Sequence, residues 1–227
     1  ILDLIYKNNM NYAIGHGCTA EWKSENEKCI IIEAVCLPTI ELPNTTAEIE
    51  SSNSNFKLEI PMNVLAGIVN KDKFELLNKM AEEYKLWVDN EKVKIVNLPK
   101  KHIAAAKKNI DKCYTCLQRI IDGINFIKND KLALKAFELA NESILIQQFR
   151  LSNKLREISF NKAGDTYFED QIVIPNLEED HQRLGKWRPF QLAFLLSSIK
   201  SSVLELDLER EDVELIFFPT GGGKTEA

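Results

Sequence analysis

The segment "VELIFFPTGGGKT", Val213 to Thr225, constrains this chain more than any other. Its first part, Val213 to Phe218, is a nearly unbroken short apolar run, which is what a parallel strand covered on both faces requires. It is followed by three glycines, a lysine and a threonine. Phosphate oxygens need several donors converging at short range. Gly221, Gly222 and Gly223 let the backbone fold tightly and turn its N–H groups inward, and the start of a following helix adds a favourable dipole. Lys224 is placed to reach a β- and γ-phosphate, and the Thr225 hydroxyl to ligate Mg²⁺. The general pattern G-x-x-x-x-G-K-[ST] is not met, because its first glycine would fall at Phe218.

A second segment belongs with the first. In "WRPFQ", Pro189 suits the first position of a helix, where its missing N–H would be unpaired anyway. Gln191 follows two residues later. An amide side chain carries a donor and an acceptor, so it can pair with adenine N6 and N7 together. Arg188 is placed to stack on such a base or position it. These residues imply a nucleotide site made of Arg188, Gln191, Thr220, Gly221, Gly222, Gly223, Lys224 and Thr225. Its cofactors would be ATP and Mg²⁺, with Lys224 as the catalytic residue and Thr225 as the metal's hydroxyl ligand.

The rest of the chain sets the surroundings. At 227 residues there is room for one large or two small domains. Residues 1–62 are predicted to be strand-rich: "KCIIIEAVCL" (Lys28 to Leu37) is β-branched, and "FKLEIP" alternates with period two. Between them "PNTTAEIESSNSN" is expected to be an exposed loop. Residues 63–160 show helical spacing. Phe74, Leu77, Met80 or Ala81, Tyr84 and Val88 share a face. Further helices are predicted over His102 to Ile127 and from about Leu132 to Leu151, together suggesting a bundle. Residues 161–186 are predicted to form an acidic linker or hairpin, with six acidic residues and no Lys or Arg over 163–180. Residues 187–227 would begin a RecA-like domain. The fold class expected is α+β and mostly helical, ending in a truncated RecA-like α/β domain.

Bulk properties limit the function classes. A net charge of −5 argues against a protein that coats polyanions wholesale, although a local basic stripe suffices for nucleic acid. Five cysteines at irregular spacing fit a reducing cytosol better than a disulfide scaffold, so a cytoplasmic location is expected. No run approaches the roughly 18 apolar residues that cross a bilayer, and no membrane partner is expected. Cys113 and Cys116 form a C-x-x-C inside a helical pattern without a second pair, which favours two small core residues over zinc or redox chemistry. "GHGC" (Gly15 to Cys18) is read as a tight turn. Lys92, Lys94, Lys100, Lys101, Lys107, Lys108 and Lys112, against Glu91 and Asp111, leave a local excess of +5. That set is either a solvated helix face or a track for a DNA backbone.

The form Pro-Thr-Gly-x-Gly-Lys-Thr, with a preceding R-P-x-Q, is how superfamily 2 helicases usually write these elements. Upstream, "YAIGHGCTAEW", "LPTIELP", "KAFELANESILIQQ" and "WRPFQLAFLLSSI" together make the chain resemble the helicase subunit of DISARM, a bacterial anti-phage defence system. The resemblance spans nearly the whole chain and implies a large ATP-dependent DNA helicase or translocase acting on foreign DNA. It also implies DNA and a second DISARM subunit (DUF1998-type, a domain of unknown function) as partners. On that reading the chain is an internal fragment. It lacks the Asp-Glu box and the second RecA-like lobe, so alone it would hydrolyse essentially no ATP. Two rival readings come from the residues. One is a helical nucleic-acid- or partner-docking module over 1–185. The other is a non-helicase ATPase that owns the phosphate loop.

Overall fold

The structure is a computed structural model that describes residues 4, 7, 11–26, 28–36, 46–51, 57–152, 158–168, 176–179, 184–213 and 215. The described residues form helices and three separate two-stranded antiparallel sheets, an α+β composition dominated by helix. The expected RecA-like strand falls mostly outside the described residues, and the phosphate loop wholly so. Val213 and Leu215 are described; they lie in none of the described strands and are 95% and 85% exposed. The chain divides into two units, residues 1–44 with 88–113, and residues 45–87 with 114–227.

In the first unit, β1 (Thr19–Glu25) pairs with β2 (Lys28–Val35). Trp22 lies opposite Ile32, and the register shifts between Lys23 and Ser24. The strand expected over Lys28–Leu37 is β2; its partner β1 carries no comparable apolar signal. Asn26 turns the chain at φ 47°, a left-handed conformation that asparagine tolerates. In "GHGC", Gly17 has φ +73° within a run of bends at residues 16–18, so the segment is a turn. The unit's other part holds the end of one helix and the start of the next. Leu98 precedes Pro99 and is extended (φ −82°, ψ 148°), as steric conflict with a proline ring demands. The helix therefore stops, and a new one begins at Lys100. Val88, Ile95, His102, Ala106 and Ile110 are buried.

The second unit begins with β3 (Ile49–Glu50) against β4 (Lys57–Leu58). Part of the stretch expected to be loop is thus paired, because Ile49 faces Leu58 across the ladder. A single turn, α1 (Met62–Leu65), follows. The long helices are α2 (Lys73–Lys94), α3 (Lys100–Asn129) and α4 (Lys131–Ser152); α2 and α3 each begin or end in the first unit. Their starts are set by caps. The Asp72 carboxylate accepts from the N–H of Phe74 (2.8 Å) and Glu75 (3.2 Å). Asp130 accepts from Leu132 and Ala133, both at 2.9 Å. Each supplies an acceptor to N–H groups that the helix itself leaves unpaired.

Helical periodicity in the sequence becomes burial. Leu77, Met80 and Ala81 of α2, Leu117, Ile120, Ile124 and Ile127 of α3, and Phe137, Leu145 and Phe149 of α4 share one buried cluster. The strands β5 (Ile158–Phe160) and β6 (Thr166–Phe168) form a hairpin whose turn is tied by Asn161. The Asn161 side-chain oxygen accepts from Ala163 and Asp165 N–H at 2.9 and 2.8 Å. Its strands therefore flank the start of the acidic stretch. The last long helix is α5 (Pro189–Val203), whose Leu192 and Leu196 complete the core.

Candidate functional site

Of the residues proposed for the nucleotide, Arg188 and Gln191 are described; Thr220, Gly221, Gly222, Gly223, Lys224 and Thr225 lie outside the described residues. The "WRPFQ" segment is held from several sides. Residues 60–62 pair with 185–187 as a short antiparallel bridge. Met62 N–H donates to the Gly185 carbonyl at 2.7 Å, and Trp187 N–H to the Ile60 carbonyl at 3.0 Å. Lys186 Nζ sits 2.6 Å from Glu59 Oε2. Gly185 N–H donates to the Gln148 side chain at 2.9 Å. Gly185 has φ +73°, and an added Cβ would lie 2.6 Å from Leu145 Cδ1, so only glycine fits without strain or displacement.

Trp187 is fully buried. Its indole N–H donates to Asn141 Oδ1 at 2.7 Å, and Asn141 Nδ2 donates to the Phe137 carbonyl at 2.7 Å. A buried indole without an acceptor would carry the desolvation cost of its N–H. Asn141, itself fully buried, removes that cost and fixes where α5 starts.

Helix α5 begins as the sequence predicts, with Arg188 extended (φ −75°, ψ 136°) and Pro189 in the first turn. Gln191 is 4% exposed, and its Oε1 accepts the Arg188 N–H at 3.1 Å. This is one arm of a capping box: a side chain three residues into the helix reaches back to the cap residue's backbone. The amide oxygen proposed for adenine is thus engaged with the helix's own first turn. Arg188 is half-buried.

The far end of α5 is also clasped. Lys200 Nζ meets Asp207 Oδ2 at 3.0 Å, and Asp207 Oδ1 accepts the Glu209 N–H at 3.0 Å. The backbone hydrogen bond from Glu209 and the Lys200 ammonium hold the Asp207 carboxyl below the usual carboxylate range. Arg119 of α3 pairs with Glu209 at 2.8 Å, and Arg210 donates to the Ser201 and Ser202 carbonyls at 3.1 Å each. Residues 207–210 therefore return along α5 before the chain enters the apolar run.

Helices α3 and α5 meet at Gly123. A Cβ there would lie 1.9 Å from the Leu196 carbonyl oxygen, so the crossing needs a residue without one. Neither Gly123 nor the Trp187–Asn141 pair was marked by sequence reasoning. A glycine inside a strongly helical pattern was the available signal for the first; for the second there was none.

The weaker constellations resolve as follows. Cys113 and Cys116 are half-buried on α3 and form no disulfide among the described residues. Among the described residues no group of three or more His, Cys, Asp or Glu is arranged to hold a metal ion. His16 is exposed and His102 buried. All seven lysines of the basic set are exposed. No helix among the described residues is long and apolar enough to cross a membrane.

No family model matches the chain. Over 232 aligned residues it is 28% identical to the DISARM protein DrmA of Bacillus paralicheniformis, an alignment covering 99% of this chain and 19% of that protein. The chain thus spans about a fifth of its relative's length. The alignment takes in nearly the whole of this chain, which is thus similar to DrmA from end to end.

Proposed function

We infer that this chain is part of an ATP-dependent DNA helicase or translocase of a bacterial anti-phage defence system. The observation that carries the reading is similarity to DrmA over 99% of the chain, joined to a phosphate-loop sequence in its last residues. The donor set fits a nucleoside triphosphate: backbone N–H groups from Thr220 to Gly223, one ammonium at Lys224 and one hydroxyl at Thr225. ATP with Mg²⁺, when bound, supplies the phosphoanhydride whose hydrolysis drives movement.

The chain's own residues divide the work. With ATP and Mg²⁺ bound, Lys224 would offset negative charge on the β- and γ-phosphates, and Thr225 would offer the metal an oxygen ligand. Gln191 and Arg188 serve the adenine. The Gln191 oxygen already accepts from Arg188 N–H, and pairing with adenine would add to that bond or replace it. The anchors at Trp187 and Asp207 hold both ends of α5, the helix whose first turn contains Gln191. Residues 187–227 begin the first RecA-like lobe; the earlier residues form the region ahead of the motor. DNA and a second DISARM subunit of the DUF1998 type are its partners, in the bacterial cytoplasm.

A strain carrying the complete defence system tests this. With Lys224→Ala, protection against phage should be lost while the protein accumulates to its normal level. Protection equal to wild type would overturn the reading.

A further inference from the structure

One exposed feature is not used by the nucleotide site. Helix α3 carries Lys100, Lys101, Lys107, Lys108 and Lys112 on its first-unit portion, all exposed. At about 100° per residue they fall within an arc of about 140°, running about 18 Å along the axis. The same arc holds Ala104 and one acid, Asp111, which has an interaction of its own. His102, Ala106 and Ile110, which are buried, lie on the opposite side. None of the five lysines forms an ion pair among the described residues. By contrast, Lys94 pairs with Glu91 and Lys57 with Glu48. A chain of net charge −5 thus concentrates unpaired positive charge on one short helical face.

We propose that this lysine face of α3 is a contact surface for the phosphate backbone of duplex DNA. The proposal rests on the DNA-acting role given above and adds where the DNA lies. Three properties select the occupant. The spacing of charge along one line matches a polyanion rather than a single small anion. The arc has no aromatic side chain on which unpaired bases would stack, which disfavours single strands. It also has no large apolar or aromatic anchor of the kind that dominates protein–protein interfaces. What remains is contact to phosphates, which positions a duplex without reading its sequence.

The test is fluorescence anisotropy of the full 227-residue chain on a labelled duplex, from 50 to 200 mM salt. Each phosphate contact contributes about 0.9 to the slope of log K against log salt. In the triple variant Lys101→Gln, Lys108→Gln, Lys112→Gln the slope should be shallower by about 2.7. Over that salt range the wild type should lose about 40-fold more affinity than the variant. Lysine and glutamine are near-equal helix formers, so circular dichroism should be unchanged. The control triple Lys71→Gln, Lys131→Gln, Lys135→Gln alters net charge equally in the other unit and should keep the wild-type slope. Equal slopes for the two triples would overturn the proposal. So would failure of the wild type to bind duplex, or stripe-dependent binding of polyglutamate in place of DNA. Loss of protection in Lys224→Ala with an unchanged salt slope difference would leave both readings standing, whereas equal slopes sink the DNA face alone.

Discussion

Replacing Gly123 with alanine opposes two effects whose sizes can be compared. By helix propensity alone, glycine to alanine inside α3 should stabilise by up to about 1 kcal/mol. The structure says otherwise. The new methyl would stand 1.9 Å from the Leu196 carbonyl oxygen and 2.8 Å from its carbon. Ordinary contact needs well over 3 Å, and the atom in the way is helix backbone, which no rotamer change can move. Helices α3 and α5 must separate by more than 1 Å, which disturbs Ile120, Ile124, Leu192 and Leu196 in the core. Overpacking of this severity lies at the upper end of its usual range, about 3 kcal/mol. After the propensity gain, the net loss is about 2 kcal/mol. For a protein of this size that lowers Tm by about 4–8 °C. Urea unfolding followed by circular dichroism measures it, with Ala104→Gly as the reference. That position is exposed on the same helix and should lose only about 1 kcal/mol. A Gly123→Ala protein as stable as wild type, or more so, would refute the close crossing.

Further outcomes follow from the same contacts. Asn141→Leu leaves the Trp187 indole N–H buried without its acceptor and should cost about 1–3 kcal/mol. Combining it with Trp187→Phe should recover part of the loss, measured by a double-mutant cycle in urea. Asp207 has its carboxyl pKa depressed in the folded state, first by the Glu209 N–H and then by Lys200. A depressed folded pKa gives stability that is present above the unfolded value, near 4, and lost as pH falls through the folded value. The stability advantage of wild type over Asp207→Asn should therefore be constant from pH 7 to 5 and shrink below pH 4, as followed by thermal melts. Gly185→Ala should lower Tm through its positive φ and its clash with Leu145, and Leu145→Ala in the same chain should relieve only the clash.

The helices were legible because their determinants are local. Period-3.6 spacing predicted Leu77, Met80 and Ala81 inward, and α3 and α4 run within two residues of the limits expected at each end. Helix α2 runs on to Lys94, beyond the spacing that announced it. The small sheets were only half visible. β2 is apolar enough to announce itself, whereas β1 and β3 are defined by their partners across a ladder. At the proposed nucleotide site, Pro189 and Gln191 were visible by type and spacing. Gln191's engagement with the Arg188 N–H was not, because an amide that can pair with a base can equally cap its own helix. Asn141 under Trp187, Gln148 under Gly185 and Leu196 against Gly123 join residues far apart in sequence. No local pattern marks such pairs; tertiary packing alone brings them together.

The proposed motor role is tested most directly by phosphate release from ATP, with and without DNA, by the full-length gene product and its Lys224→Ala variant at equal concentration. We expect DNA to stimulate turnover in the wild type and the variant to show neither basal nor stimulated turnover, while melting at the same temperature. Equal, DNA-responsive turnover in both proteins would show that the glycine-flanked lysine is not the phosphate ligand, and the assignment of residues 187–227 to an ATP-driven motor would fall.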